Sequence, residues 1–252
     1  MTPLPGSDTR LLTAVRSAPP RALLLPGLAG SPAIWRPFAQ RAGRWLEVET
    51  AAPPWAGPAG WAYETDPGRY VRDAVRALPR PPDLLVAHSF AATLVLDLIS
   101  RGELDEPVAL VLVSPFYRPS PTAFDWRTIA GYLNGFHTIL DEGLRVGSGG
   151  RLADDVRRAM ARQVRERVGP YGWVRFFDLY LRTPFMDLTR VHNPLLVVTG
   201  DRDFAAGADD GRTLAGAVPG ARFELFDDCG HFAMAEQPDR FAALLHEFVE
   251  TL

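Results

Sequence analysis

The sequence contains no lysine: all 27 of its basic residues are arginine, a bias that reads as codon usage and not as a functional feature. Against 30 acidic residues the formal net charge is −3, so there is no basic excess to hold a nucleic-acid backbone or an anionic membrane. Cysteine occurs once, at Cys229. That excludes an intramolecular disulfide and any cysteine-based zinc pattern, and it suits a reducing cytoplasm. No apolar run approaches the roughly 18–20 residues that span a bilayer. The segment Met1–Asp8 lacks the positive and apolar regions of a secretory signal. The expectation is a cytoplasmic protein with a small-molecule substrate, no nucleic-acid or membrane partner, and no metal or organic cofactor. Nothing in the sequence fixes an oligomeric state.

What is present is enough for a large core: 252 residues, 47% hydrophobic and 10% aromatic, a composition that excludes general disorder. Short apolar runs recur at Ala22–Leu25, Leu84–Ala87, Val108–Val113 and Leu195–Val198, with Phe223–Phe226 more alternating. Continuous runs of this length predict strands buried on both faces, as in a parallel sheet. Between them come segments of helical spacing: Tyr70, Val71, Ala74, Val75 and Leu78; Ala91, Leu94, Val95 and Leu98; Phe241, Leu244, Leu245 and Phe248. The rhythm predicts an α/β fold, a mostly parallel central sheet flanked by helices. A further strand pair is expected near Leu11–Arg16 and Leu46–Thr50, and loops at the Pro/Gly-rich stretches 53–60 and 147–150.

The alternation stops after Ser114-Pro115 and resumes at Asn193-Pro194, too long an interval for a plain loop. The expected organisation is a core of residues 1–115 and 191–252 with a helical lid over 116–190. The insertion is rich in aromatic residues. Val156, Met160, Val164 and Val168 recur every fourth residue, opposite a solvated face carrying Arg158, Arg162 and Arg165.

The chemistry concentrates at three strand ends. Leu84–Ala87 runs into His88-Ser89-Phe90 and then directly into a helical pattern, with small residues Ala87 and Ala91 two positions either side of the serine. Such a turn strains the serine and lifts its hydroxyl above the sheet. Ser31 fits the same spacing, between Ala29 and Ala33, but it follows a glycine-rich loop and precedes Pro32, which has no N–H to donate. Ser89 is therefore the candidate nucleophile. A serine needs a base and the base an orienting carboxylate. Of five histidines, His231 lies just beyond the last predicted strand, whereas His88 should point away from the nucleophile. His137, His192 and His246 read as surface or packing residues. Thr199-Gly200-Asp201-Arg202-Asp203 follows a buried strand; Asp203 is the expected acid, Asp201 a turn-closing residue, and Asp125 a distant alternative.

The elbow at Ser89, Gly200-x-x-Asp203, Gly230-His231-Phe232 and Gln237-Pro238 together resemble the α/β-hydrolase superfamily, over nearly the whole chain. The resemblance implies a Ser89–His231–Asp203 triad and an oxyanion hole built from the N–H groups of Leu28 and Phe90. One departure is Pro26, where a His-Gly pair is usual; that loop resembles discrete thioesterases of polyketide and peptide assembly lines. Hydrolysis of an ester or lactone of a fairly apolar molecule is the expected reaction. The alternatives are a thioesterase, acyl transferase or cyclase meeting an acyl carrier protein, and a lyase or isomerase on the same triad. Trp35, Trp126, Phe136 and Phe177 are the expected substrate contacts.

Overall fold

The structure, a computed structural model, describes residues 18–53, 66–105 and 107–252. Six strands form one sheet: β1 (Arg21–Leu25), β2 (Glu47–Thr50), β3 (Leu84–His88), β4 (Ala109–Val113), β5 (Leu195–Gly200) and β6 (Arg222–Phe226). Their order is β2-β1-β3-β4-β5-β6, and every neighbouring pair is parallel. The predicted strand at Leu11–Arg16 lies outside the described residues, as does most of the Pro/Gly-rich stretch at 53–60. The predicted strand at Leu46–Thr50 is β2, on the sheet edge.

The continuous apolar runs are explained by burial on two faces. Leu23, Leu25, Leu85, Ala87, Leu110 and Leu112 belong to one core, packed under α2 (Arg69–Arg76), α3 (Phe90–Ser100) and α6 (Ala208–Ala217). Their neighbours Ala22, Leu24, Leu84, Val86 and Val111 belong to the other, under α1 (Arg36–Ala42) and α8 (Pro238–Glu250). Each fully buried Leu, Val or Phe contributes about 1.5–3 kcal/mol, and neither face is spared. Helix α3 is buried almost all round, from Phe90 to Ile99.

Between β4 and β5 the chain leaves the sheet and forms α4 (Trp126–Gly147) and α5 (Asp154–Arg182), which pack together; α5 bends at Gly169-Pro170. Asp125 caps α4 by accepting from the Thr128 N–H at 2.7 Å, a role that accounts for an aspartate there. Arg182 closes α5 onto α3 through Asp97, at 3.1 Å. Arg158, Arg162 and Arg165 are exposed. The apolar face opposite them is not uniformly packed: Val168 is buried, but Val156 and Met160 stay exposed, and Met160 borders the cavity described below.

Because β2 and β3 flank β1 on opposite sides, the strand order reverses at β1/β3, and a crevice opens at the carboxyl ends of the strands. Leu25 pairs with Ala87, which sets the loop after β1 directly beside the turn after β3.

Candidate active site

Four successive strands each deliver one polar group to this crevice: Ser89 after β3, Ser114 after β4, Asp203 after β5 and His231 after β6. Ser89 has φ 56° and ψ −122°, a conformation that non-glycine residues avoid and that the strand-to-helix reversal imposes. Its backbone is held on both sides: its N–H donates to the Val113 carbonyl at 2.8 Å, and its carbonyl accepts from the Thr93 N–H at 3.2 Å. Ser31, the competing serine, has an ordinary extended backbone (φ −127°). It lines the cavity edge but sits in no strained turn.

The Ser89 Oγ lies 3.0 Å from His231 Nε2, and His231 Nδ1 lies 2.8 Å from Asp203 Oδ2. All three residues are buried. The other Asp203 oxygen accepts from the N–H groups of Ala205 and Ala206, each at 2.9 Å. Burial acts to raise the Asp203 pKa, but the His231 ring, its hydrogen bond and the Ala206 N–H outweigh it and hold the carboxyl below its ordinary value. With Asp203 ionised, Nδ1 of His231 carries the ring proton and donates it, so Nε2 is left to accept from the serine hydroxyl. That arrangement can draw a proton from Ser89.

His88 and Ser114 contribute in a way the sequence did not disclose. The Nε2 of His88 lies 2.9 Å from the His231 carbonyl, and the Ser114 hydroxyl donates to the same oxygen at 3.2 Å. His88, which lines the same cavity as Ser89, turns its Nε2 to the histidine loop and holds its backbone. Burial, then the neighbouring His231, pushes the His88 pKa down to about 3, so the ring stays neutral and keeps one N–H to donate.

The loop after β1 makes a tight turn closed by Gly30 N–H to Gly27 carbonyl at 2.9 Å, with Ala29 at φ 60°. Gly27 is dictated by proximity: a Cβ there would stand 2.9 Å from Ser89 Cβ and 3.0 Å from the His88 carbonyl. Leu28 follows it into the cavity. Phe90 is the first residue of α3, directly after Ser89.

Gly200 plays the same part between the loops that carry Asp203 and His231. A Cβ there would collide with the carbonyl oxygens of Cys229 and Gly230. Gly200→Ala is expected to cost at least the upper end of the roughly 1–3 kcal/mol of ordinary overpacking. It should also push His231 off Asp203, so a melting curve and a rate measured on the same sample should both fall. Asp201 ties these loops as well: it accepts from the Cys229 N–H at 3.1 Å. Cys229 is buried in the second core, its thiol pushed up to about 12, mainly by burial.

A cavity of about 320 Å³ opens over Ser89 and His231, walled by Leu28, Ile34, Leu140, Leu144, Val164 and Phe232 among others, with no Asp, Glu or Arg among the described residues of its lining. A larger hollow of about 590 Å³ beside Tyr70 and Asp66 contains none of the three hydrogen-bonded residues. The four aromatic residues expected at a substrate do not line the cavity over Ser89. Trp35 is carried by a short 3-10 turn (Pro32–Trp35) into the opposite core, against Phe38, His88 and Phe241. Trp126, on the first turn of α4, is 84% exposed. Phe136 of α4 packs on Trp173 of α5 at 5.6 Å between ring centroids and joins the two helices, while Phe177, itself on α5, packs on the same ring at 5.0 Å and on the sheet core. Of the other histidines, His137 and His192 are exposed and His246 packs on Trp45.

A second polar cluster joins the insertion to the loop after β5 and to α6. Tyr132 donates to the Ala205 carbonyl at 2.9 Å, Tyr180 donates to Asp210 at 3.0 Å, and Arg118 donates to the Tyr180 oxygen at 2.8 Å. Burial raises the Asp210 pKa to about 6 despite Arg118. A carboxyl raised in the folded state binds more protons there than in the unfolded chain. Its contribution is therefore full below about pH 4 and is lost as pH rises through 6, by roughly 2–3 kcal/mol in all. Asp210→Asn removes this slope. Its melting temperature relative to the native protein is expected to fall as pH drops from 7 to 4.5; a constant difference would mean that Asp210 does not titrate there.

Residues 22–244, from β1 into α8, match the Alpha/beta hydrolase family. The chain belongs to that family. Among curated proteins, a pimeloyl-[acyl-carrier protein] methyl ester esterase from Aromatoleum aromaticum is 26% identical over 250 residues, covering 91% of this chain and 98% of that protein. The match to a monoacylglycerol lipase from Xenopus laevis, also 26% identical, is confined to 66 residues, 26% of this chain and 20% of that protein. Among solved structures, a putative lipase from Acinetobacter baumannii superposes with a TM-score of 0.71 at 16% identity, covering 94% of this chain and 85% of that one. At that identity the likeness speaks for the α/β-hydrolase fold alone. No helix among the described residues is long and apolar enough to cross a membrane.

Proposed function

We propose that this α/β hydrolase is a serine hydrolase cleaving a carboxylic ester or lactone of a fairly apolar small molecule through an acyl-enzyme. The observation that carries the reading is the hydrogen-bonded line from Ser89 through His231 to Asp203, with the serine held in a strained turn at the floor of an apolar cavity. Ser89 Oγ attacks the carbonyl carbon as His231 Nε2 takes its proton. The N–H groups of Leu28 and Phe90 hold the resulting oxyanion, and His231 returns the proton to the departing alkoxide. Water, activated by the same imidazole, releases the acid and restores Ser89. The helices α4 and α5 act as a lid that sets which acyl groups enter.

A second reading is supported by the relative that acts on an ester of an acyl-carrier protein, and by the Pro26-Gly27 loop. In it the acyl group arrives on a carrier protein as a thioester or ester, and an internal hydroxyl can replace water to close a ring. The deciding experiment gives the protein one acyl group as a simple ester, a simple thioester and a carrier-bound thioester. A simple ester turned over at least as fast as the thioesters supports the first reading; carrier-bound thioester preferred by orders of magnitude supports the second. Turnover of none by folded protein contradicts both and leaves lyase or isomerase chemistry on the same residues.

A further inference from the structure

Helix α4 presents one face to the crevice along most of its length, and that face borders two separate hollows. Toward its C-terminus Leu140, Gly143, Leu144 and Gly147 wall the cavity that contains Ser89 and His231. Toward its N-terminus Thr128, Gly131, Tyr132 and Gly135 wall a second hollow of about 270 Å³, completed by Phe204 and Ala205 of the acid loop. Ile139 lines both. It is half-buried and packs on the sheet core and on the small core between α4 and α5. The spacing 131, 135, 139, 143 keeps these positions on one side of the helix. At 1.5 Å per residue the stretch from Gly131 to Gly147 is about 24 Å long. Of positions 131, 135, 139, 143 and 147 only Ile139 is not a glycine, and a Cβ at Gly131 or Gly135 would meet nothing within 4 Å.

We infer that Ile139 is the specificity-determining stop of this site: the substrate is a straight aliphatic acyl chain lying along α4, and its far end abuts Ile139, which divides the catalytic cavity from the outer hollow. The inference rests on Ser89 being the nucleophile. An aliphatic chain is the ligand the walls favour. Among the described residues the catalytic cavity offers Leu, Ile, Val, Met and Phe side chains, its polar side chains are Ser and His, and no charged residue stands ready for a carboxylate or phosphate. Removing the Ile139 side chain beyond Cβ joins the two hollows and lets a longer chain run on over Gly135. Each further methylene buried is worth about fourfold in affinity, so two or more shift the preference by at least about tenfold.

The test uses n-alkyl trifluoromethyl ketones from butyl to tetradecyl on the full chain. Ser89 Oγ adds to the ketone carbon and the released proton passes to His231, giving a reversible hemiketal with no leaving group. Inhibition constants are read by protection of Ser89 from a small fluorophosphonate, which needs no substrate turnover. The native protein is expected to show an optimum chain length, Ile139→Ala a longer optimum, and Ile139→Phe a shorter one. Ile139→Ala combined with Gly135→Leu is expected to return to the native optimum, because the new side chain refills the outer hollow. If Ile139→Ala does not fold, Ile139→Val should show the same direction with a smaller shift. An optimum that stays put in all the folded Ile139 variants, or no chain-length dependence at all, overturns the inference while Ser89 labelling leaves the serine-hydrolase reading intact. Failure of Ser89 to label overturns both.

Discussion

Ser89→Ala is expected to lower kcat for the best ester substrate by roughly 10⁵–10⁶-fold, the loss seen when a hydrolase nucleophile is removed from a triad that works as a unit. The reason is local. Among the described residues the hydroxyl has one hydrogen-bond partner, His231 Nε2 at 3.0 Å, and the turn that holds it is built from backbone hydrogen bonds that alanine keeps. Alanine also tolerates the positive φ about as well as serine, so the melting temperature should move by no more than a degree or two. The measurement is a full kinetic comparison beside a thermal melt. A variant that melts normally and retains more than a hundredth of the native rate would place the nucleophile elsewhere. Ser31 would then be next, since it too borders the cavity.

Asp203→Asn is expected to cost about 10⁴ in kcat with little change in KM. The carboxylate bonds Nδ1 of His231 with one oxygen and the Ala205 and Ala206 N–H groups with the other. Asparagine can keep the backbone bonds through its carbonyl and present its amide N–H₂ to the ring. The ring must then accept at Nδ1 and carry its proton on Nε2, facing Ser89, which is the wrong tautomer for a base. Because the Asp203 carboxyl is held below its ordinary value, the native protein keeps this interaction throughout the neutral range and loses it only as pH falls through that lowered pKa. The acid limb of the native rate profile should therefore not move toward neutrality on account of Asp203. The check is kcat against pH for both proteins. Asp203→Glu should recover part of the rate if ionisation matters more than reach. A kcat within tenfold of native in Asp203→Asn would remove Asp203 from the mechanism.

Much of this was legible in the sequence because parallel strands buried on both faces leave unbroken apolar runs, such as Leu84–Ala87 and Leu195–Val198, and those runs end where the polar groups emerge. Ser89, Asp203 and His231 are each spelled by a short turn with its own chemistry: small flanking residues, or a glycine where two loops meet, as at Gly200. The pocket was not legible for the opposite reason. Its insertion wall is aliphatic side chains and glycines of α4 and α5, and a glycine that makes room for a ligand looks like any other glycine. The aromatic residues drew the reading instead. Trp35, Phe136 and Phe177 serve packing, since large rings are what join two helices or fill the space under a sheet, and Trp126 sits in solvent. His88 and Ser114 were equally hidden, because their bonds to the His231 carbonyl depend on a register between strand ends that only the folded sheet supplies.

The central claim is that Ser89 is a nucleophile activated by His231, and the most direct test is intact-mass analysis after exposure to a fluorophosphonate. The native protein should gain the mass of one phosphonyl group, with fluoride leaving as the Ser89 Oγ–P bond forms. Ser89→Ala should gain none, and His231→Ala should react more slowly by orders of magnitude while remaining folded. A folded native protein that takes up no label, or a Ser89→Ala variant that labels as fast as native, would contradict the account.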